Sequence, residues 1–207
     1  MTMIDELREE LYLYNLLRQV FLREPTKELV TDISNISLSE EEEEADDEIN
    51  HGLKIMIDSA KNNLHRLDEW LEELALEYAR LFIGPKNPPA VPYASFYLSE
   101  SHSLMTEETI DVRKRYLEAN MAVKNLYSIP DDHIGIELEF IYYLTQKIIE
   151  LFEQGQREDA SRLFEIRSNF LSEHVSQWVP FFSDKVLDST QEDFYKGAAL
   201  ILRFLIY

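Results

Sequence analysis

Asp131, Asp132, His133 and Glu137 are the residues whose types and spacing could do chemistry in this sequence. An imidazole titrates near neutrality, so His133 beside Asp132 could exchange protons with a substrate. Three carboxylates could equally hold a cation, a guanidinium above all, because its planar fork matches theirs. His133 and Glu137, four apart, share one face of a helix's first turn and could start a metal site, but the sequence places no third ligand. The chain has no Gly-x-Ser-x-Gly elbow, no Gly-x-x-x-x-Gly-Lys-Ser/Thr phosphate loop and no His-Glu-x-x-His zinc motif. Acid/base chemistry at Asp132 and His133 therefore lacks a nucleophile or cofactor site, and the chain is expected not to be an enzyme. A plainer role also fits: Asp131 or Asp132 caps the helix that begins near His133.

The elements that must position these residues are helical. After Ser128-Ile129-Pro130-Asp131, the apolar positions Ile134, Leu138, Ile141 and Ile148 form a stripe running to about Phe152, with Gly155 just past the end. Upstream, Ile4, Leu7, Leu11, Tyr14, Leu17 and Phe21 mark one face of a first helix that Pro25 closes, and a shorter helix follows from Thr26. The acids from Glu40 to Glu44, within 38–48, repel one another and predict a solvated linker or frayed helix start. From about His51 to Phe82 the spacing of Leu64, Leu67, Leu71, Leu74, Tyr78 and Leu81 predicts a long amphipathic helix, which Gly84-Pro85 stops. Four of the seven prolines lie in 84–95, a stiff extended loop between helical halves of about 1–83 and 96–207. Further helices are predicted over about 106–127 with Thr106 as cap, over 157–176 with a break at Trp178-Val179-Pro180, and over 190–206. There is no internal repeat and no convincing strand.

The expectation is one all-α domain, a helical bundle over 1–207. A hydrophobic content of 45% with 5 glycines is too apolar for disorder and too poor in glycine for a turn-rich β fold. The formal charge of −20 repels nucleic acid and anionic membrane surfaces and steers cationic ligands inward. The absence of cysteine excludes disulfides and thiolate chemistry. The acidic N-terminus is unlike a secretory signal, and no uncharged apolar run spans a bilayer, so a cytoplasmic location is expected.

Tyr78-Ala79-Arg80-Leu81-Phe82-Ile83-Gly84-Pro85, continued by Pro88-Pro89 and Pro92-Tyr93-Ala94-Ser95-Phe96-Tyr97, resembles the signature of the TorD/DmsD/NarJ family of redox enzyme maturation chaperones. Pro130 to Phe140 resembles that family's second motif, an Asp-His at a helix start followed by Glu-Leu and an aromatic, and Phe170 to Phe181 a third. Three motifs in family order agree with the length and the helical pattern. Ala94 stands where many relatives carry an acid.

The resemblance implies an all-α fold, no catalysis, no cofactor of its own, and binding of the twin-arginine leader or the body of a molybdenum-cofactor-dependent oxidoreductase. The peptide-binding residues it points to are Tyr78, Leu81, Phe82, Gly84, Pro85, Pro92, Tyr93, Ser95, Pro130, Asp131, Asp132, His133 and Glu137. On this expectation the leader's arginines meet Asp131, Asp132 and Glu137 at an exposed helix start, and its apolar run lies along Tyr78, Leu81, Phe82 and Tyr93. By pattern Leu81 and Phe82 pack largely inward, leaving Tyr78 as the better contact, and His174 and Trp178 pack a helix end with no ligand role. The rivals are an assembly chaperone of a nitrate-reductase-like subunit without twin arginines, a small hydrolase or nucleotide-binding protein using Asp132 and His133, and a dimer formed by exchange of segments.

Overall fold

The computed structural model describes residues 2–39, 47–84, 88–123 and 129–206. The acidic run at Glu40 to Glu44 and Pro85 fall outside them. Among the described residues the fold is all-α, without strands, and no helix is long and apolar enough to cross a membrane.

The helices are α1 (Met3–Leu22), α2 (Lys27–Ser34), α3 (Glu48–Asn63), α4 (Leu67–Tyr78), α5 (Ala94–Leu98), α6 (Glu107–Glu118), α7 (Ile134–Glu153), α8 (Arg157–Phe170), α9 (Ser176–Ser189) and α10 (Asp193–Leu205). The chain divides into two compact units, each discontinuous in sequence. Unit 1 is Met1–Leu22 with Tyr93–Val179, and unit 2 is Arg23–Pro92 with Pro180–Tyr207. One crossing, from Pro92 to Tyr93, falls in the proline-rich segment; the others fall after Leu22 and after Val179.

In unit 1, α7 packs against both α1 and α8. Leu7 of α1 meets Ile148 and Ile149 of α7 in one apolar cluster, with Leu163 and Phe164 of α8 against it. Arg167 of α8 is a buried cation held by the part-exposed Glu10 of α1 and by the Thr145 hydroxyl at 2.8 Å, so its charge is paired. In unit 2, α3 packs on α10, with Gly52 and Gly197 at the crossing, where a methyl on Gly197 would stand 2.5 Å from the Gly52 carbonyl oxygen. Trp70 of α4 sits edge-on to Phe194 of α10, and the Tyr195 hydroxyl donates to the Leu74 carbonyl at 2.9 Å.

Three helix boundaries differ from the sequence pattern. The long helix predicted to Phe82 begins at Glu48, capped by Asp47, and is interrupted at Leu64–Arg66 by a tighter 3₁₀ turn. There Arg66 reaches back to Asn63 and forward to both oxygens of Glu73, interactions that hold the tightened turn. The helix predicted over 106–127 ends at Glu118. Asn120 takes a left-handed φ of 57°, and Met121 N–H bonds back to the Tyr116 carbonyl, which closes the helix as a glycine usually would. The break predicted at Pro180 is absent, and α9 runs through the proline. Proline inside a helix costs about 3 kcal/mol, while each fully buried large side chain returns about 1.5–3 kcal/mol. Trp178, Val179, Phe182 and Val186, all fully buried, outweigh the local penalty.

Candidate functional site

The start of α7 is the centre of the site in unit 1. His133 is its N-cap: Nδ1 accepts the Gly135 N–H at 3.0 Å, satisfying a donor that a helix start leaves free. Asp131 and Asp132, expected as caps, are used elsewhere. Asp132 caps α5 across the chain, its backbone carbonyl taking the Ala94 N–H at 3.0 Å and its Oδ2 the Ser95 N–H at 2.8 Å. The Thr109 hydroxyl of α6 donates to Asp132 Oδ1 at 2.9 Å. Asp131 Oδ2 is bonded to the Arg113 guanidinium, and Tyr116 donates to the Asp131 carbonyl at 2.8 Å. Tyr93 forms an isolated bridge with His133, and their rings meet edge to face at 5.1 Å.

One turn on, Glu137 is fully buried and takes two N–H donors. His174 Nε2 lies 2.7 Å from Oε1, and Trp178 Nε1 donates to Oε2 at 3.1 Å. Phe170 stacks on His174, and Tyr97 stacks on Trp178 with ring centroids 5.6 Å apart. His174 lies in Leu171–Val175, a widened π-type turn between α8 and α9, the kind of helix irregularity that recurs at functional sites. Burial alone would lower the His174 pKa, but the Glu137 carboxylate and its hydrogen bond outweigh it and hold the pKa above the usual value. Burial in turn raises the Glu137 pKa, against the pull of His174 and the Trp178 N–H, so both members of the pair hold a proton more tightly than free side chains do. His133 is the opposite case: burial lowers its pKa to about 4 against the pull of Asp132, so it is neutral at physiological pH.

In unit 2 the widened turn Ala79–Ile83 ends α4, and Gly84, at a φ of 50°, closes it with its N–H on the Ala79 carbonyl at 2.7 Å. Glu77 and Arg80 form a two-pronged ion pair at 2.6 and 2.7 Å. Glu77 also accepts the Gln191 N–H at 2.8 Å, and Arg80 donates to the Ser189 carbonyl at 2.6 Å. Burial would raise the Glu77 pKa, yet these donors keep it below the ordinary value.

Comparison with known proteins bears on this geometry. Residues 39–184 match the family described as nitrate reductase delta subunit. The chain is 30% identical over 156 residues to the chaperone protein TorD of Vibrio atlanticus (strain LGP32), covering 74% of this chain and 71% of that one. It is 28% identical over 211 residues to the chaperone protein TorD of Aliivibrio salmonicida (strain LFI1238), covering 98% and 91%. The chain belongs to the TorD/NarJ family. The family motifs expected from sequence thus fall on the start of α7, the end of α4 with its turn, and the π-type turn before α9.

The placement of the expected site residues in this TorD/NarJ family member differs from an exposed acidic anchor beside an open groove. Asp131, Asp132, His133 and Glu137 are all buried, at 1, 0, 5 and 0% exposure. Buried carboxylates need donors: Asp132 and Glu137 have both oxygens met by protein groups, whereas Asp131 has Oδ2 met by Arg113 and Oδ1 without a hydrogen-bond partner among the described residues. Tyr78, Leu81 and Phe82 are core as well, with Tyr78 edge-on to Phe82 and Phe82 against Phe182 and Tyr195 within unit 2. Tyr78 is thus no more open than its neighbours, because an aromatic ring gains more from burial than from solvent. Pro92 and Ser95 are buried, whereas Gly84, Tyr93 and Pro130 keep part of their surface. Sequence reasoning gave His174 and Trp178 no ligand role, although a buried indole and a nearby imidazole four residues away are paired donors in search of an acceptor.

The neutral His133 cap gives a testable sign. Its folded pKa lies below the unfolded value of 6.5, so its contribution is intact above pH 6.5 and is lost as pH falls toward about 4. His133→Asn, whose side-chain oxygen can take the same Gly135 N–H, is expected to remove about 3 kcal/mol of that acid-side loss. Urea unfolding midpoints at pH 7 and pH 4.5 check it; parallel pH profiles for both proteins would refute the assignment.

Proposed function

We propose that this chain is a cytoplasmic chaperone that binds the apo form of a molybdenum-cofactor-dependent oxidoreductase and recognises its twin-arginine leader before export or assembly. The observation that carries the reading is the match to TorD chaperones, which in one relative extends over 98% of this chain. Binding without turnover is its activity. The net charge of −20 suits a leader that begins with arginines, since it concentrates cationic segments near the surface. In this reading the buried acids do not themselves meet the leader. They fix the starts of α5 and α7 and hold Tyr93 and Pro130, which keep accessible surface beside them, in place for client contact.

The test is co-purification of the tagged full-length chain from the cells that encode it, with mass spectrometry of what it carries. The expected partner is an oxidoreductase catalytic subunit of the molybdenum class bearing a twin-arginine leader. A second reading is favoured by the family's description as nitrate reductase delta subunit: a chaperone of a subunit without such a leader. Recovery of a leaderless catalytic subunit selects that reading, and recovery of no oxidoreductase overturns both.

A further inference from the structure

Within unit 1, the face of α7 beyond the buried anchor borders an open groove of about 520 Å³. Its lining includes Ile136, Phe140 and Tyr143 of α7 at helical spacing, Tyr116 of α6 and residues 121–123. From Ile136 to Glu150 the helix rises roughly 21 Å, enough to lie along about six residues of extended chain. Phe140 and Ile136 are buried at the bottom, whereas Tyr143 remains 46% exposed at the middle, a large aromatic face with solvent over it. The charged lining residues are Glu139, Lys147 and Glu150.

We propose that this groove is the docking site for the client's leader. The apolar run lies over Ile136 and Phe140, and the arginines lie against Glu139, Glu150 and the Tyr143 ring. The proposal rests on the leader reading above and adds the place. Charge chooses this occupant over a second copy of the chain, which would bring another −20 to the same face. The surface already holds one guanidinium in such a setting: Arg18 bonds Glu139 Oε1 at 3.1 Å and stands 4.5 Å over the Tyr142 ring. That bond uses one oxygen of Glu139. Among the described residues, Glu150 is engaged by Lys147 alone, in an exposed pair at 3.1 Å. Such pairs contribute little and yield to a two-pronged guanidinium.

The probe is a fluorescein-labelled peptide with two adjacent arginines followed by about ten apolar residues, titrated with the full chain by fluorescence anisotropy. Tyr143→Ala and Glu150→Arg are each expected to weaken binding about tenfold or more, because a central aromatic and a desolvated charge carry most of such an interface. Leu76→Ser, at an exposed apolar position of unit 2, should leave the affinity unchanged. Circular dichroism confirms that each variant is folded. Tight binding by the wild type with both groove variants unaffected overturns the groove and leaves the leader reading standing. No binding by the wild type overturns the leader reading and the groove together. A dimer seen by light scattering that Tyr143→Ala dissociates would assign the groove to a second copy and also overturn the proposal.

Discussion

Glu137→Ala is expected to lower the unfolding free energy by about 3–5 kcal/mol, because removing one partner of a buried ion pair leaves the other charge uncompensated. His174 and the Trp178 indole N–H would both lose their acceptor, and each is buried. Against a typical total of about 5–15 kcal/mol, such a loss brings unit 1 close to unfolding at ambient temperature. Glu137→Gln should do little better, since its amide would set a donor against one of the two donors it must satisfy. The two tryptophans offer a clean readout, as Trp178 lies in unit 1 and Trp70 in unit 2. Urea unfolding followed by fluorescence in a Trp70→Phe background reports on the environment of Glu137. The pair also sets an alkaline trend. The folded pKa of His174 is raised, so its contribution is complete below the unfolded value near 6.5 and is lost as pH rises through the folded pKa. In Glu137→Ala that decline should disappear. A loss below about 1 kcal/mol would show that the carboxylate is not the anchor described.

The second large effect is expected at Gly135. A methyl group there would stand 2.7 Å from the Leu22 Cα, 2.8 Å from its Cβ and 2.9 Å from its backbone nitrogen. Backbone atoms cannot rotate aside, so α7 must move away from the end of α1 or the new side chain must strain the helix. Gly135→Ala is therefore expected to cost about 3 kcal/mol, at the upper end of ordinary overpacking. The displacement falls on the residue whose N–H the His133 cap holds, so Tyr93 and His133 should shift with it. NMR shifts of the His133 ring, compared between the two proteins, check the displacement, and thermal unfolding checks the cost. A protein of wild-type stability with unmoved His133 resonances would show that the contact between α1 and α7 is loose.

Helix positions were legible where a single apolar face alternated three and four, as in α1, α7 and α10. What the pattern could not show was how helices end when the terminator is unusual. Asn120 closes α6 in a left-handed conformation that sequence reading assigns to glycine, and Pro180 fails to close α9 because buried side chains on both sides outweigh it. The motif acids, expected at an exposed helix start, are buried, and the sequence hides this for a physical reason. A run of acids at a helix start looks the same in sequence whether it faces solvent or its donors arrive from elsewhere in the chain. Thr109, Arg113, His174 and Trp178 lie between 18 and 41 residues from their carboxylate partners, a separation that local spacing does not encode.

The discontinuity of unit 1 bears on how the molecule is made. Helix α1 leaves the ribosome well ahead of α7, the helix it packs against, which ends only at Glu153. At about 5–20 residues per second, the interval between the two is on the order of ten seconds. Throughout it Leu7, Leu17, Val20 and Phe21, all deeply buried in the finished fold, have no α7 to cover them. The nascent chain thus presents a sticky amphipathic helix for longer than most small domains take to fold, and other factors at the tunnel exit have time to take hold of it.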